Sequence, residues 1–230
     1  MRCGFLLSQE HYGTTSFSLS AITTVIDICS IYGSRLYWVK FQSMDKLRTY
    51  FEQVGFKGDE LDTVCDAFGI QTFEKNELFV MEGKTSKYIG FIKTGMFQYY
   101  VIKDGEEVTS YVSVAGTWVA SILSFVREVP SLENIRAITP GIVYTLSRVN
   151  LKKLVKEIEG FKDFYIALLE QSICGIDESR HDLIVLTAEQ RYEKLLSNEP
   201  HLLQQIPLQH LASMLGITPR HLSRIRNNIR

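Results

Sequence analysis

The residue types best suited to a specific chemical task lie near the end of the sequence. Residues 201–230 contain four arginines and no aspartate or glutamate, whereas the preceding 200 residues contain 21 basic and 26 acidic side chains. Arginine can form a bidentate pair of hydrogen bonds with guanine, asparagine suits adenine, and serine contacts bases or phosphate. This composition indicates a small basic surface for an anionic partner, with DNA as the candidate.

A helix that begins at Pro219 would sort these side chains by face. At about 100° per residue, Leu222, Ile225 and Ile229 fall on one side. Almost opposite lie Arg220, Ser223, Arg224 and Asn227. Thr218, His221 and Arg226 complete the candidate DNA-binding set. We expect Arg224 to contact a base and Arg226, on the flank, to contact phosphate.

Two helices joined by a glycine turn would position that surface. Leu208, Leu211, Ala212 and Leu215 form one apolar face of a short helix, and Gly216 permits the turn that follows it. Thr218 suits the N-cap of the second helix and Pro219 its first turn. The pattern predicts a helix-turn-helix within a domain over residues 187–230. A solvated polar face on an ordinary helical hairpin is the alternative.

Residues 70–147 have the pattern of antiparallel strands. Runs rich in β-branched and aromatic residues occupy 78–80, 88–93, 96–102, 108–114, 135–138 and 142–146. Turn signals separate them about every ten residues, which is typical of a barrel or sandwich. Asp104-Gly105 predicts a type I′ hairpin turn.

Helical periodicity returns after Asn150. A helix from Leu151 to Ile158 is predicted first, and a longer one over residues 161–186 follows. Leu168 and Ile173 are among the apolar positions of the longer helix. Such a helix either pairs with its copy in a dimer or packs against its own barrel, and we expect a homodimer.

The remaining composition excludes several classes of protein. No run approaches about 20 apolar residues, so no membrane-spanning helix is expected. Four scattered cysteines without a CxxC pair offer neither a zinc clip nor a redox motif, and they favour a reducing cytoplasm. We predict no catalytic residues, no metal and no cofactor. A cupin-like enzyme would need histidines on the strands, and residues 70–147 contain none.

Residues 1–43 stand apart, with Glu10 and Asp27 as their acidic residues and no signal-peptide pattern. Met44 opens an amphipathic segment. Either translation begins at Met44 and residues 1–43 are an upstream extension, or they form a genuine N-terminal arm.

Residues 44–230 resemble the Crp/Fnr family of bacterial transcription regulators. The resemblance rests on the glycine-punctuated strands, the long helix and the segment GITPRHLSRIR at 216–226. It implies an α+β fold with three parts. An antiparallel β-roll of the cyclic-nucleotide-binding-like type (a double-stranded β-helix, or RmlC-like jelly roll) covers residues 44–160. A dimerisation helix over 161–186 and the helix-turn-helix follow it. The resemblance also implies a cytoplasmic homodimer that binds double-stranded DNA. Such a dimer would contact RNA polymerase and sense a small molecule. The chain resembles members that end soon after the recognition helix, without a wing.

The sequence departs from the family pattern at two places. Members that bind cyclic nucleotides carry Gly-Glu and then Arg-Ser or Arg-Thr, which hold ribose and phosphate. Ala120-Ser121 and Ser131-Leu132 stand there instead. We therefore expect no cyclic AMP or GMP binding, and Ser121, Arg127 and Ser131 are the candidate effector-pocket residues. Haem sensing stays open.

The second departure is Arg220, where many members have Glu, so the DNA half-site should differ from the usual one. A small-molecule-binding module with a vestigial DNA-binding end is the alternative function.

Overall fold

The computed structural model describes residues 45–229, and the extension predicted for 1–43 lies outside the described residues. Two short helices come first, α1 (Asp45–Gln53) and α2 (Gly58–Asp66). Leu47 and Phe51 of α1 are fully buried. Phe51 contacts the rings of Phe56 and Phe68, which flank α2, and the ring of Phe164.

Eight strands follow in the described part of the chain. They are β1 (Gly69–Phe73), β2 (Leu78–Val80), β3 (Tyr88–Thr94), β4 (Met96–Lys103), β5 (Glu106–Val114), β6 (Trp118–Val119), β7 (Asn134–Ala137) and β8 (Gly141–Ser147). They form two antiparallel sheets with the orders β1-β8-β3-β6 and β2-β7-β4-β5. Apolar residues from both sheets share one core, which includes Ile92, Phe97 and Val143. This double sheet is called the roll below.

The strand predictions are confirmed, and so is the hairpin turn between β4 and β5. Asp104 has φ 54° and Gly105 has φ 82°, the two positive values that a type I′ turn requires. β1 and β6 were not predicted as strands. β1 buries Phe73 but leaves most of its other residues exposed, and β6 has two residues.

Three helices are joined to the roll. They are α3 (Ile122–Arg127), α4 (Arg148–Glu157) and α5 (Phe161–Val185). The predicted long helix over 161–186 is thus confirmed to within one residue. Phe161 of α5 is buried, but Ile173 and Ile176 are 63% and 65% exposed. Leu168, one of the predicted apolar positions, is half-buried.

The last helices pack on the outside of the roll. They are α6 (Ala188–Asn198), α7 (Pro200–Gln205), α8 (Leu208–Met214) and α9 (Pro219–Ile229). Leu211 and Leu222 of this group lie in one buried cluster with Val112 and Val114 of β5 and with Ile138. These helices therefore share a hydrophobic core with the sheet.

Candidate nucleic-acid interface and ligand region

The turn between α8 and α9 has the geometry that the sequence pattern predicts. Gly216 has φ 68°, and its N–H donates to the Ser213 carbonyl at 2.9 Å. The Ile217 N–H donates to the Ala212 carbonyl at 3.0 Å. These two bonds are those of a Schellman motif, which ends a helix with a left-handed residue. Helix α9 begins three residues after Gly216, at Pro219.

Thr218 caps α9, as the sequence predicts. Its hydroxyl accepts the His221 N–H at 3.2 Å, and Pro219 occupies the first helical position. The hydroxyl satisfies a backbone donor that has no partner within the helix.

The two faces of α9 differ sharply in burial. Leu222 and Ile225 are 0% and 2% exposed and fill the shared core. The opposite side, called the α9 face below, consists of Arg220, Ser223, Arg224 and Asn227. Both arginines are exposed, and neither makes an ion pair within residues 45–229. Two guanidinium groups are therefore available to an external anion.

Arg226 is placed differently from the phosphate contact expected of it. Its guanidinium donates to the Leu203 carbonyl at 3.3 Å and lies 6.0 Å from the Tyr192 ring centroid. Its Nε atom is buried and has no hydrogen-bond partner. The flank position on α9 faces α6 and α7, so Arg226 ties these helices together.

An acidic residue approaches α9 from another helix. Glu189 in the first turn of α6 lies 3.2 Å from the His221 ring, between Oε1 and Nε2. The pKa of the Glu189 carboxyl is lowered by the backbone N–H of Glu189 itself, by the Thr187 side chain and by His221. The absence of acids in residues 201–230 thus does not leave this surface free of negative charge, and periodicity within α9 gave no signal of it.

Arg191 is a structural residue that the sequence analysis missed. It donates to the Leu186 carbonyl at 2.6 Å, at the end of α5, and to the Leu215 carbonyl at 2.6 Å, at the end of α8. Cationic groups stabilise helix C-terminal carbonyls. Arg191 therefore fastens the helix pair α8–α9 to the end of the long helix.

The candidate effector residues meet only in part. Ser121 and Ser131 are both buried, and their hydroxyl oxygens are 3.0 Å apart. The Ser131 hydroxyl also donates to the Glu133 carbonyl at 2.7 Å. Arg127 is exposed at the end of α3. The structure thus brings the two serines together and leaves Arg127 outside their cluster.

The surroundings of the two serines are unsuited to a phosphate. The Glu133 carboxylate lies within hydrogen-bonding reach of Ser121, although burial raises the pKa of this carboxyl. The Tyr99 hydroxyl, whose pKa burial also raises, accepts the Ala120 N–H at 3.0 Å. An acidic group and satisfied hydroxyls stand where the family pattern has an arginine and a free N–H group. Among the described residues, no cluster of His, Cys, Asp and Glu could hold a metal ion.

The roll has two facing antiparallel sheets and a short helix, α3, between β6 and β7. This arrangement is compared with known proteins below. Residues 70–157 match the Cyclic nucleotide-binding domain family. The roll is similar to a cyclic nucleotide-binding domain. No curated protein sequence matches the chain.

Solved structures extend the likeness beyond that domain. A CooA mutant from Carboxydothermus hydrogenoformans is 17% identical, with a TM-score of 0.58 over 72% of this chain and 78% of that one. FixK2 from Bradyrhizobium japonicum is 16% identical, with a TM-score of 0.60 over 70% and 84%. The c-di-GMP-responsive global regulator CLP of Xanthomonas campestris is 14% identical, with a TM-score of 0.56 over 74% and 90%. At such identities the likeness shows the fold.

The fold match extends beyond the region that is similar to a cyclic nucleotide-binding domain. Each of the three structures covers more of this chain than residues 70–157 alone, so the shared fold includes helices outside that domain. Within residues 45–229, none of the helices is long and apolar enough to cross a membrane.

Proposed function

We propose that this chain is a sequence-specific, DNA-binding transcription regulator of the Crp/Fnr type. The helix pair α8–α9 is its helix-turn-helix, and the α9 face reads bases in the major groove. The observation that carries this proposal is the division of α9: Leu222 and Ile225 are buried, while Arg220, Arg224 and Asn227 are exposed on the other side. Exposed arginine and asparagine on a helix held by its apolar face are the groups that recognise guanine and adenine.

The protein acts as a homodimer through α5. Ile166, Ile173, Ile176 and Leu183 are exposed apolar residues on this helix, spaced by seven, three and seven. That spacing follows the a and d positions of a heptad, which form the seam between two supercoiled helices. Pairing α5 with its copy would bury this seam and place two α9 helices on two half-sites.

The roll is the effector-sensing domain, without the usual anchors for a cyclic nucleotide. Support comes from the mutual hydrogen bond of Ser121 and Ser131 and from the nearby Glu133 carboxylate. A carboxylate near the phosphate position would repel a cyclic phosphate. Cytoplasmic location, contact with RNA polymerase and the existence of a small-molecule effector rest on the family resemblance.

The test is selection of bound duplexes from a random pool, followed by fluorescence anisotropy on the enriched sequence. We expect an inverted repeat whose half-site centres lie about 10 base pairs apart. Because phosphate contacts release counterions, log affinity should fall linearly with log salt. Arg224→Ala should weaken binding to the enriched sequence, whereas the matched control Arg127→Ala, which removes an exposed arginine of the roll, should leave it unchanged.

Failure to enrich any sequence, with equal and weak binding to all duplexes, would contradict the proposal. That result would favour the alternative function, a small-molecule-binding module with a vestigial DNA-binding end.

A further inference from the structure

The first helix of the pair covers one edge of the roll. β5 is the outermost strand of its sheet, and α8 packs against it. The Thr109 N–H donates to the Ser213 hydroxyl at 2.8 Å, and that hydroxyl lies 3.2 Å from the Thr109 carbonyl. An edge strand otherwise presents unpaired backbone groups. The Ser213 hydroxyl therefore bonds the backbone groups of Thr109 that a further strand would otherwise pair.

A chain of polar side chains leads from an exposed ion pair on the sheet to the buried Gln98, Thr109 and His210. Arg136 makes a bidentate ion pair with Glu107 at 2.5 and 2.9 Å and donates to the Gln98 side-chain oxygen at 2.8 Å. The Gln98 amide donates to the Thr109 hydroxyl at 2.8 Å. The Thr109 hydroxyl lies 3.3 Å from Nδ1 of His210. These contacts connect Glu107 of β5 to His210 of α8.

Apolar residues also pack between the roll and α8. Val112, Val114 and Ile138 of the roll contact a cluster that includes Leu211 and Leu215. All five are less than one-tenth exposed. His210 is 8% exposed, so its imidazole is buried at the junction of β5 and α8.

The junction accommodates a neutral imidazole better than a charged one. Nδ1 meets Thr109, and Nε2 lies 3.2 Å from the Gln209 side-chain nitrogen. Burial lowers the pKa of His210, the nearby Arg136 charge lowers it further, and Glu107 opposes both. Arg136 from β7 and Glu107 from β5 are the charged groups that face the ring; Gln98 of β4 and the neighbouring residues of α8 are uncharged.

We propose that His210 and Thr109 form a proton-sensitive joint that docks the helix pair α8–α9 on the edge of the roll. With His210 neutral the helix pair is docked, and a proton on the ring favours its release. A histidine free in solution titrates near pH 6.5. Above that pH both states are neutral. As the pH falls below it the released state binds a proton that the docked state resists, so docking weakens.

This joint would regulate the proposed function, and its effect on DNA binding rests on that function. The docked position fixes the direction of α9 relative to α5, and therefore the separation of two α9 helices in a dimer. Release would leave the helix pair held by Arg191 and by the connection from Leu186 to α6, and the separation set by docking on the roll would be lost. DNA affinity should then fall together with docking.

The experiment measures docking directly, by amide hydrogen exchange in the full chain with rates corrected for the intrinsic effect of pH. The Thr109 amide reports the joint, because Ser213 of α8 accepts its hydrogen bond. Between about pH 7.5 and 5.5, we expect its corrected exchange to rise by up to about tenfold. Val143, buried in the centre of the other sheet, should not change and serves as the control for global unfolding.

Three variants decide the role of His210. His210→Gln keeps hydrogen-bonding groups and cannot titrate, so its Thr109 exchange should not depend on pH; His210→Asn serves if the glutamine variant does not fold. His181→Gln, which removes an exposed histidine of α5, should behave like the wild type.

Wild-type exchange that is independent of pH, or the same dependence in His210→Gln, would overturn the proposal. A protein that binds no DNA but shows this exchange pattern would refute the proposed function and leave the joint intact.

Discussion

The α9 face and the buried serine cluster of the roll are two regions where an anion is expected, and they use their polar groups in opposite ways. On α9, Arg220 and Arg224 extend into solvent without an ion pair in the described part of the chain. In the roll, Ser121 and Ser131 bond each other beside an acidic group. Residue type alone therefore does not mark a binding site. A site for a ligand needs polar groups whose hydrogen bonds are not already taken by the protein.

Arg224 and Arg226 repeat this contrast within a single helix. They are two residues apart, yet Arg224 is exposed while Arg226 is drawn to the Leu203 carbonyl and the Tyr192 ring. The first is available to DNA, and the second holds the α9 face in place. Mutations at the two positions should therefore affect different properties.

The largest effect is expected at the dimer seam. Ile173→Asp with Ile176→Asp places two charges on the exposed apolar stripe of α5 and should give monomers on sizing chromatography. Because two linked half-sites bind more tightly than one, affinity for the inverted repeat should fall about 10²–10⁴-fold. Gln171→Asp, an exposed position on the same helix, is the control. A double variant that stays dimeric would remove α5 from the interface.

Removal of Arg226 should affect stability more than DNA contact. Arg226→Ala loses a charge-assisted hydrogen bond and the packing of the side-chain stem, which we expect to cost about 1–3 kcal/mol in urea unfolding. The exposed Arg220→Ala is the control and should leave the unfolding midpoint unchanged. If the stability of Arg226→Ala is unaltered and its slope of log DNA affinity against log salt is lower by about one, Arg226 contacts phosphate as the sequence predicts.

The sequence predicts local features well because they depend on neighbours along the chain. The type I′ turn at Asp104-Gly105, the cap at Thr218 and the burial of Leu222 all follow from spacing within a few residues. The strands also follow from local runs of β-branched and aromatic residues between turn signals. β1 did not, since it buries mainly Phe73 and so lacks a clear period.

Features that depend on distant partners were not predictable. The direction of Arg226 is set by Leu203, 23 residues earlier. The burial of His210 depends on Thr109, 101 residues earlier, and the acid beside His221 comes from α6. A helical projection treats every residue outside the apolar stripe as solvated. It therefore cannot separate a free arginine from one that another helix has covered.

A smaller effect is expected at Glu189, the acidic group beside the α9 helix. Glu189→Gln removes an exposed negative charge and should raise DNA affinity by about two- to fivefold, the range of one exposed charge interaction. The gain should disappear at high salt because the charge is screened there. Glu193→Gln, on the same helix, is the control. An unchanged affinity at low salt would place Glu189 away from the phosphate backbone.

The smallest effect concerns the serine cluster. Calorimetry with cyclic AMP or cyclic GMP should show no binding at micromolar concentrations, because Ala120-Ser121 and Ser131-Leu132 supply neither the Glu nor the Arg that would anchor the ligand. Micromolar affinity would contradict the contrast drawn between the two regions. Ser121→Ala and Arg127→Ala would then show which group replaces the missing anchors.

The central claim is that the α9 face reads DNA sequence. The most direct measurement is the affinity of wild type and Arg224→Ala for every single-base variant of the selected duplex. If Arg224 pairs with guanine, the variant should lose about 1–3 kcal/mol per half-site on the selected sequence. It should also lose its preference at one base pair of each half-site, with the other positions unchanged. An identical preference at all positions in the two proteins would show that Arg224 does not read sequence and would contradict the account.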